Sequence, residues 1–393
     1  MGRERRYFSV KTHDEEKAYL YWLHQIPEIG EKLKRKLVEQ EGSAKAVYRM
    51  PEMRLEKALG KEKKEVFLRF TEKWNVTEEY EKLLSDNINL VSAFDHNYPE
   101  RLRKIRGQPM VLYYRGALPE DEVMSLAIIG ARECSAYGSY MAKEFARKMA
   151  MAGINIISGM ARGVDGIGQL EALRFGGITY AVLGCGVDVC YPASNRCLYQ
   201  QIQEKGGILS PYVPGTPPVK NLFPYRNKIV AGLSDAVLVV EARQKSGTLI
   251  TVDMALEQGK DVYAVPGRLT DRLSDGCNLM IRQGAGIALS PEDILAEMTV
   301  LKNRKGGYPD QADRKKNKEE EEGGLPAEDT SSEHMSVLKL LDLNPRSLEE
   351  LFVMAEENHM DMTLSQLTFE LIQLCMAGKA KQTGGNYFSG IPN

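Results

Sequence analysis

The chain has 393 residues, 43% hydrophobic and 27% charged, with a formal net charge of −2. The length predicts two or three domains. The near-zero charge excludes a polycation, so nucleic-acid binding has to come from local clusters of cations. The six cysteines (Cys134, Cys185, Cys190, Cys197, Cys277 and Cys375) form no C-x-x-C pair, which argues against a zinc site or a disulfide framework. MGRERRYFSV has no apolar core of a signal peptide, and no apolar run approaches the ~20 residues of a membrane span. The expectation is a cytoplasmic protein with free thiols, no metal, no cofactor and no membrane contact.

Residues 15 to about 85 read as helical and mixed in charge. Within them Ile26-Pro27-Glu28-Ile29-Gly30 precedes Leu33, Leu37 and Val38, with Lys32, Lys34, Arg35 and Lys36 alongside. A Pro/Gly turn before a basic helix resembles a helix-hairpin-helix, whose turn offers N–H groups to a phosphate. It reads equally as a small helical bundle with a solvated basic face. Residues 88–116 alternate short apolar runs with Tyr98-Pro99 and Gln108-Pro109 breaks, and predict an extended connection into a sheet.

From 123 to about 298 strands and helices alternate. Strands are expected at 125–130, 154–158, 178–183, 207–210, 236–241 and 261–265. Helices are expected at 137–152, 165–175, 195–204, 225–232 and 249–258. In the first helix Tyr140, Met141, Phe145, Met149 and Ala152 are spaced for one buried face. This rhythm predicts an α/β fold with a doubly wound, mostly parallel sheet. Residues 303–333 carry Gly, Pro and blocks of like charge without aliphatics, the composition of a flexible linker. Helical patterning resumes at 334–389 and ends in a Gly-tipped hairpin, the outline of a winged helix. No Lys or Arg stands in its third helix, Thr363 to Gly378, so a protein-contact role is as well supported as DNA contact. The domains are therefore expected at 1–85 (helical, helix-hairpin-helix or SAM-like), 86–300 (Rossmann-like), 301–333 (linker) and 334–393 (winged-helix-like).

Four loops should converge at the carboxyl ends of the strands, where open α/β sheets bind ligands. They are Gly130-Ala131-Arg132 with Ser135 and Gly138; Ser158-Gly159-Met160-Ala161-Arg162-Gly163-Val164-Asp165; Lys220 through Lys228; and Lys245-Ser246-Gly247-Thr248. Acidic and basic residues nearly balance over 120–298, yet Arg132, Arg162, Lys220, Arg226, Lys228 and Lys245 all fall in these loops. Cations clustered on a neutral body make a directed anion site. Phe223 among them is a candidate platform for a base. Ser246-Gly247-Thr248 at a helix start is a candidate phosphate nest. Asp165 is expected to N-cap the following helix or to orient Arg162. No P-loop and no G-x-G-x-x-G opens the first helix, so neither a P-loop ATPase nor ordinary dinucleotide binding is supported. No Ser/His/Asp or Cys/His set is present.

The runs IIGARECSAYG, SGMARGVDGIGQLEAL, FPYRNKIVAGLSDAVLVVEARQKSGTLIT and GCNLMIRQGA, in that order, resemble the DNA-processing protein DprA (Smf) family, densely over about 88–290. The resemblance implies a non-enzymatic, largely sequence-independent single-stranded DNA binder. Such a protein protects incoming DNA and helps load RecA recombinase in natural transformation, as a homodimer formed through the α/β domain. It places Arg132, Ser158, Gly159 and Arg162 at phosphates, and matches Lys220 and Phe223 to the family's DNA-contacting Lys and stacking Phe. Arg226, Asn227 and Lys245, Ser246, Gly247 and Thr248 complete the implied pocket. The chain departs from the family with Gln169 for a usual His, Pro211 for a common Glu and Lys228 for an Arg. Two alternatives share the pocket: a nucleotide sensor, and a nucleotide phosphoribohydrolase. The second is weakened because Thr251 stands where that enzyme family has its catalytic Glu. The stretch around 277–298 is a candidate partner surface.

Overall fold

A computed structural model describes residues 15–305 without a break and, beyond them, 337, 340–341, 346–357, 360, 362–376, 380–382 and 387–390. The chain divides into two units, Met1–Tyr308 and Pro309–Asn393. In the first, six helices lead: α1 (15–25), α2 (Glu31–Glu41), α3 (Ala44–Tyr48), α4 (Glu52–Leu59), α5 (Lys61–Lys73) and α6 (Val76–Ser85). A sheet follows, made of β1 (Asn89–Ser92), β2 (Val111–Gly116), β3 (Ser125–Ile129), β4 (Asn155–Ser158), β5 (Thr179–Val182), β6 (Gly207–Ser210), β7 (Ala236–Val239), β8 (Asp261–Ala264) and β9 (Gly286–Ile287). Between them run α7 (Glu100–Arg103), α8 (Ala136–Met151), α9 (Val164–Arg174), α10 (Arg196–Lys205), α11 (Phe223–Leu233), α12 (Gly247–Glu257) and α13 (Asp275–Arg282), with α14 (Pro291–Lys305) last.

The strand order is β1-β2-β6-β5-β4-β3-β7-β8-β9, parallel from β6 to β9. The chain winds outward from β3 through β4, β5 and β6, then crosses to β7 and winds the other way. The order reverses between β3 and β7, which makes their carboxyl ends the switch point of a Rossmann-like α/β fold. Central strands such as SLAII of β3 are buried throughout, as covered parallel strands are. Alternate residues feed two cores. Ala127 and Ile129 pack with Ile229, Val230 and Val252 of α11 and α12. Leu126 and Ile128 pack with Phe145 and Met149 of α8. Truncating a ring such as fully buried Phe145 costs ~3–5 kcal/mol.

The structure corrects several expectations. Residues 88–116 are no connection: β1 pairs antiparallel with β2, and β2 antiparallel with β6, forming one flank of the sheet. On α8, Phe145 and Met149 are buried as expected, but Tyr140 is 60% exposed and Ala152 lies outside the buried face, which Ala142 and Ala146 complete. The small residues turn toward Gly168 of α9, where a Cβ would stand 3.8 Å from that of Ala146, and this close packing rotates the stripe. The α14 helix runs to Lys305, past the expected start of the linker, the rest of which falls outside the described residues. The basic face beside Ile26–Gly30 is half consumed. Lys34 is buried and its Nζ donates to the carbonyls of His24 and Ile26 at 2.7 and 2.6 Å. Arg35 donates to the Gln108 carbonyl at 2.9 Å. Both cations serve the turn and its seat on the α/β body.

The second unit has its own core of Leu351, Leu367 and Leu371 with Phe388. Its described elements are α15 (Leu348–Glu357), α16 (Leu364–Met376) and a three-stranded sheet of Arg346–Ser347, Ala380–Gln382 and Tyr387–Gly390. Among the described residues no helix is long and apolar enough to cross a membrane.

Candidate nucleic-acid interface

The loops after β3, β4, β5 and β7 line one rim of the sheet. At their centre, Arg226 of α11 is buried, 5% exposed. Its Nη1 donates to the Gly159 carbonyl at 2.6 Å and the Val182 carbonyl at 2.7 Å, tying the loop after β4 to the end of β5. Position 159 requires glycine, because a Cβ would lie 1.9 Å from that Nη1. Asp165 accepts from the Gly159 N–H at 3.1 Å. Burial raises the Asp165 carboxyl above the ordinary carboxylate range, opposed first by Arg226. Burial likewise lowers Arg226, opposed first by Asp165. The two answer each other inside the fold.

Asp165 therefore takes neither role expected of it. Gly163 is the N-cap of α9, and the charge facing Asp165 is Arg226, not Arg162. Gly163 holds the turn at φ 74°, with the carbonyls of Ala131 and Arg132 where a Cβ would go, at 2.2 and 2.6 Å. Ser158 is spent as well: its Oγ donates to the Ile128 carbonyl at 2.7 Å, fully buried. Met160 sits at φ 52°, a conformation that costs a non-glycine residue. Gln169 holds it there. Its Oε1 accepts the Met160 N–H at 3.1 Å, and its Nε2 donates to Thr179 Oγ1 at 3.1 Å and the Tyr180 carbonyl at 3.0 Å. Asn195 Nδ2 donates to the Met160 carbonyl at 3.0 Å.

Above this buried frame stand groups with free charge. Arg132 and Arg162 are exposed, and the described ion pairs all lie elsewhere. The Phe223 ring lies 5.7 Å from Arg132 Cζ and 5.4 Å from Arg226 Cζ, and 5.9 Å from the Tyr191 ring. Gly184 floors it, since a Cβ there would come within 2.8 Å of the ring. A cleft of about 40 Å³ lies between Arg132, Gly159, Arg162, Tyr191, Phe223 and Arg226. Five of these six residues were expected; Tyr191 and the floor at Gly184 were not. Their only sequence signal was Gly184-x-Gly186 and the Tyr191-Pro192 pair, each weak alone.

The remaining candidates do not line this cleft. Lys220 is exposed on the turn just before Phe223, and Asn227 is half-buried on α11. Lys245 is exposed, Gly247 opens α12, and Ser246 Oγ is buried without a hydrogen-bond partner. Thr248 Oγ1 donates to the Gly130 carbonyl at 3.4 Å, joining this loop to the one after β3. Lys228 bonds the Arg106 carbonyl and so leaves the anion-facing set. Thr251 is buried within α12 and puts no carboxylate at its position.

Residues 89–299 match the family model described as DNA recombination-mediator protein A. The chain is 41% identical over 206 residues to the DNA processing protein DprA of Streptococcus pneumoniae, covering 52% of this chain and 73% of that one. It is 39% identical over 219 residues to the protein Smf of Synechocystis sp., spanning 55% of each. The X-ray structure of DNA processing protein A from Streptococcus pneumoniae aligns with a TM-score of 0.63 and 33% identity over 71% of this chain and 97% of that one.

Proposed function

The chain belongs to the DNA recombination-mediator protein A family, and from that premise we propose that it binds single-stranded DNA with little regard to sequence. In this reading it protects incoming strands and, as a homodimer, helps load RecA recombinase onto them in natural transformation. The observation that carries the strand reading is the Phe223 ring set between exposed Arg132 and the cleft's buried Arg226, with Arg162 beside it. Arginines fork onto phosphates, and an aromatic face takes unpaired bases at ~1–3 kcal/mol each. A duplex hides those faces. A mononucleotide sensor needs an enclosing pocket of roughly 300–1,000 Å³, and the cleft offers about 40 Å³. A rim that a strand crosses fits the geometry better. With Thr251 in place of a carboxylate, hydrolysis of a glycosidic bond has no support here.

Phosphate contact falls, in this reading, to Arg132, Arg162, Lys220 and Lys245, while Ser158, Gly159 and Arg226 hold the frame. Oligo-dT anisotropy tests it. Arg132→Ala and Lys220→Glu should weaken binding severalfold with an unchanged unfolding midpoint. Affinity should fall with salt at a log–log slope of about −0.7 per phosphate neutralised. Equal affinity for single strand and duplex sinks the reading. Partner contact is proposed at the β9 edge, where Ile287 and Leu289 are 50% and 70% exposed beside a groove of about 540 Å³. Light scattering and purified RecA test that part.

A further inference from the structure

The switch-point crevice between β3 and β7 is where sheets of this topology receive a ligand phosphate, at the start of the helix after the first strand. Here that place is taken. Glu241, two residues past β7, is fully buried. Its Oε2 accepts the Ser135 N–H at 2.9 Å and its Oε1 the Ser135 hydroxyl at 2.5 Å. The carboxylate also presses on the first turn of α8: a Cβ on Gly138 would lie 2.2 Å from Oε2, so only glycine admits it. None of the described ion pairs includes Glu241. A buried carboxylate with no basic partner is costly unless something else answers its charge. The donors at the start of α8 and the positive end of that helix answer it.

We propose that Glu241 is a specificity-determining residue: its carboxylate fills the switch-point anion position from within, closes the crevice to mononucleotides, and leaves the outer rim as the place where ligand phosphates bind. The rim part of this inference rests on the strand reading above; the occupied crevice does not. Three features agree with it. Ser135 spends both its donors on Glu241, so neither is left for an outside ligand, while Arg132 of the same loop stays exposed. The Thr248 hydroxyl, at the neighbouring helix start, donates inward to the Gly130 carbonyl at 3.4 Å. The open cleft lies on the other side of β3, toward β4 and β5.

The test replaces the internal anion by an external one. Glu241→Ala and wild type are melted in sodium phosphate and in sodium chloride of equal ionic strength, and AMP is titrated into both by calorimetry. Phosphate should raise the melting midpoint of Glu241→Ala by several degrees more than that of wild type, since an anion that binds only the folded state stabilises it. AMP should bind the variant and not wild type. Glu241→Gln, which fills the space without charge, should stay unresponsive. If Glu241→Ala folds only in phosphate, the inference stands. If phosphate moves variant and wild type equally, fails to recover an unfolded variant, or moves Glu241→Gln as much as Glu241→Ala, it is overturned. Oligo-dT binding measured on the same samples separates the two ideas. Glu241→Ala should keep it within about threefold, and wild-type protein that ignores oligo-dT would remove the strand reading while leaving the phosphate result to judge Glu241.

Discussion

Arginine does two jobs at this rim, and burial sorts them. Arg226 bonds two carbonyls and faces Asp165, whereas Arg132 and Arg162 reach solvent. Sequence shows all three as cations in candidate ligand loops and cannot show which is inside, because burial depends on what α11 packs against. Gln169 makes the same point. In the sequence it is only a departure from the family's usual His. In the fold its amide is fully spent, holding Met160 in a strained turn two residues before Arg162. Gln169→Leu leaves the Met160 N–H without its acceptor, at ~1–3 kcal/mol for a buried unsatisfied group, while the Thr179 hydroxyl keeps its bond to the Ile156 carbonyl at 2.8 Å. The unfolding midpoint should drop by a few degrees, and oligo-dT affinity should drop with it as Arg162 loses its seat. An unchanged midpoint would show that the turn holds itself.

Elements were more legible than their partners. The six strands at 125–130 through 261–265 and the five helices between them stand within a few residues of their expected places, because buried parallel strands are continuous apolar runs broken by Gly. Antiparallel β1 and β2 were missed: their Tyr and Pro content reads as irregular chain until pairing with β6 explains it. α13 fell within the helical end expected around 277–298, its eight residues being too few to mark bounds of their own. α11 carries the site because of how it starts. Phe223 and Pro224 open it, and the Tyr212 hydroxyl fixes the preceding Leu222 carbonyl at 2.7 Å. The ring is thereby presented at the rim rather than in the core. Phe223→Ala should weaken oligo-dT binding by about 1–3 kcal/mol, roughly 5- to 150-fold. Phe223→Tyr, which keeps the face, should stay near wild type. A salt slope equal in all three would confirm that only stacking was removed; a shallower slope in Phe223→Ala would show that the ring also places a cation.

At the scale of the first unit, the helical layer and the sheet share one core, since Tyr21 and Leu83 pack with Tyr113 and Ile208. Polar ties reinforce the seam: the Glu31 carboxylate takes the Met110 N–H, and His24 Nδ1 lies 2.9 Å from the Tyr113 hydroxyl. Burial raises Tyr113 well above the ordinary tyrosine value, so that hydroxyl keeps its proton and sets no negative charge beside the ring. The His24 ring is thus held neutral. Its pKa is lowered from 6.5 to about 3, by desolvation first and by the Lys34 charge second. The sign follows from proton binding. Between pH 6.5 and about 3 the unfolded chain takes a proton on His24 that the folded chain refuses, so folding weakens as pH falls through that window. Above pH 6.5 both states are neutral there and the effect is absent. His24→Gln can still accept from Tyr113 and has nothing to titrate. Urea midpoints from pH 7 down to pH 4 should therefore fall more steeply for wild type than for His24→Gln, the gap opening below pH 6.5. Parallel curves would mean that the seam opens to water and lets His24 protonate in place, and the helical layer would then be a separable module rather than part of the wall behind β6.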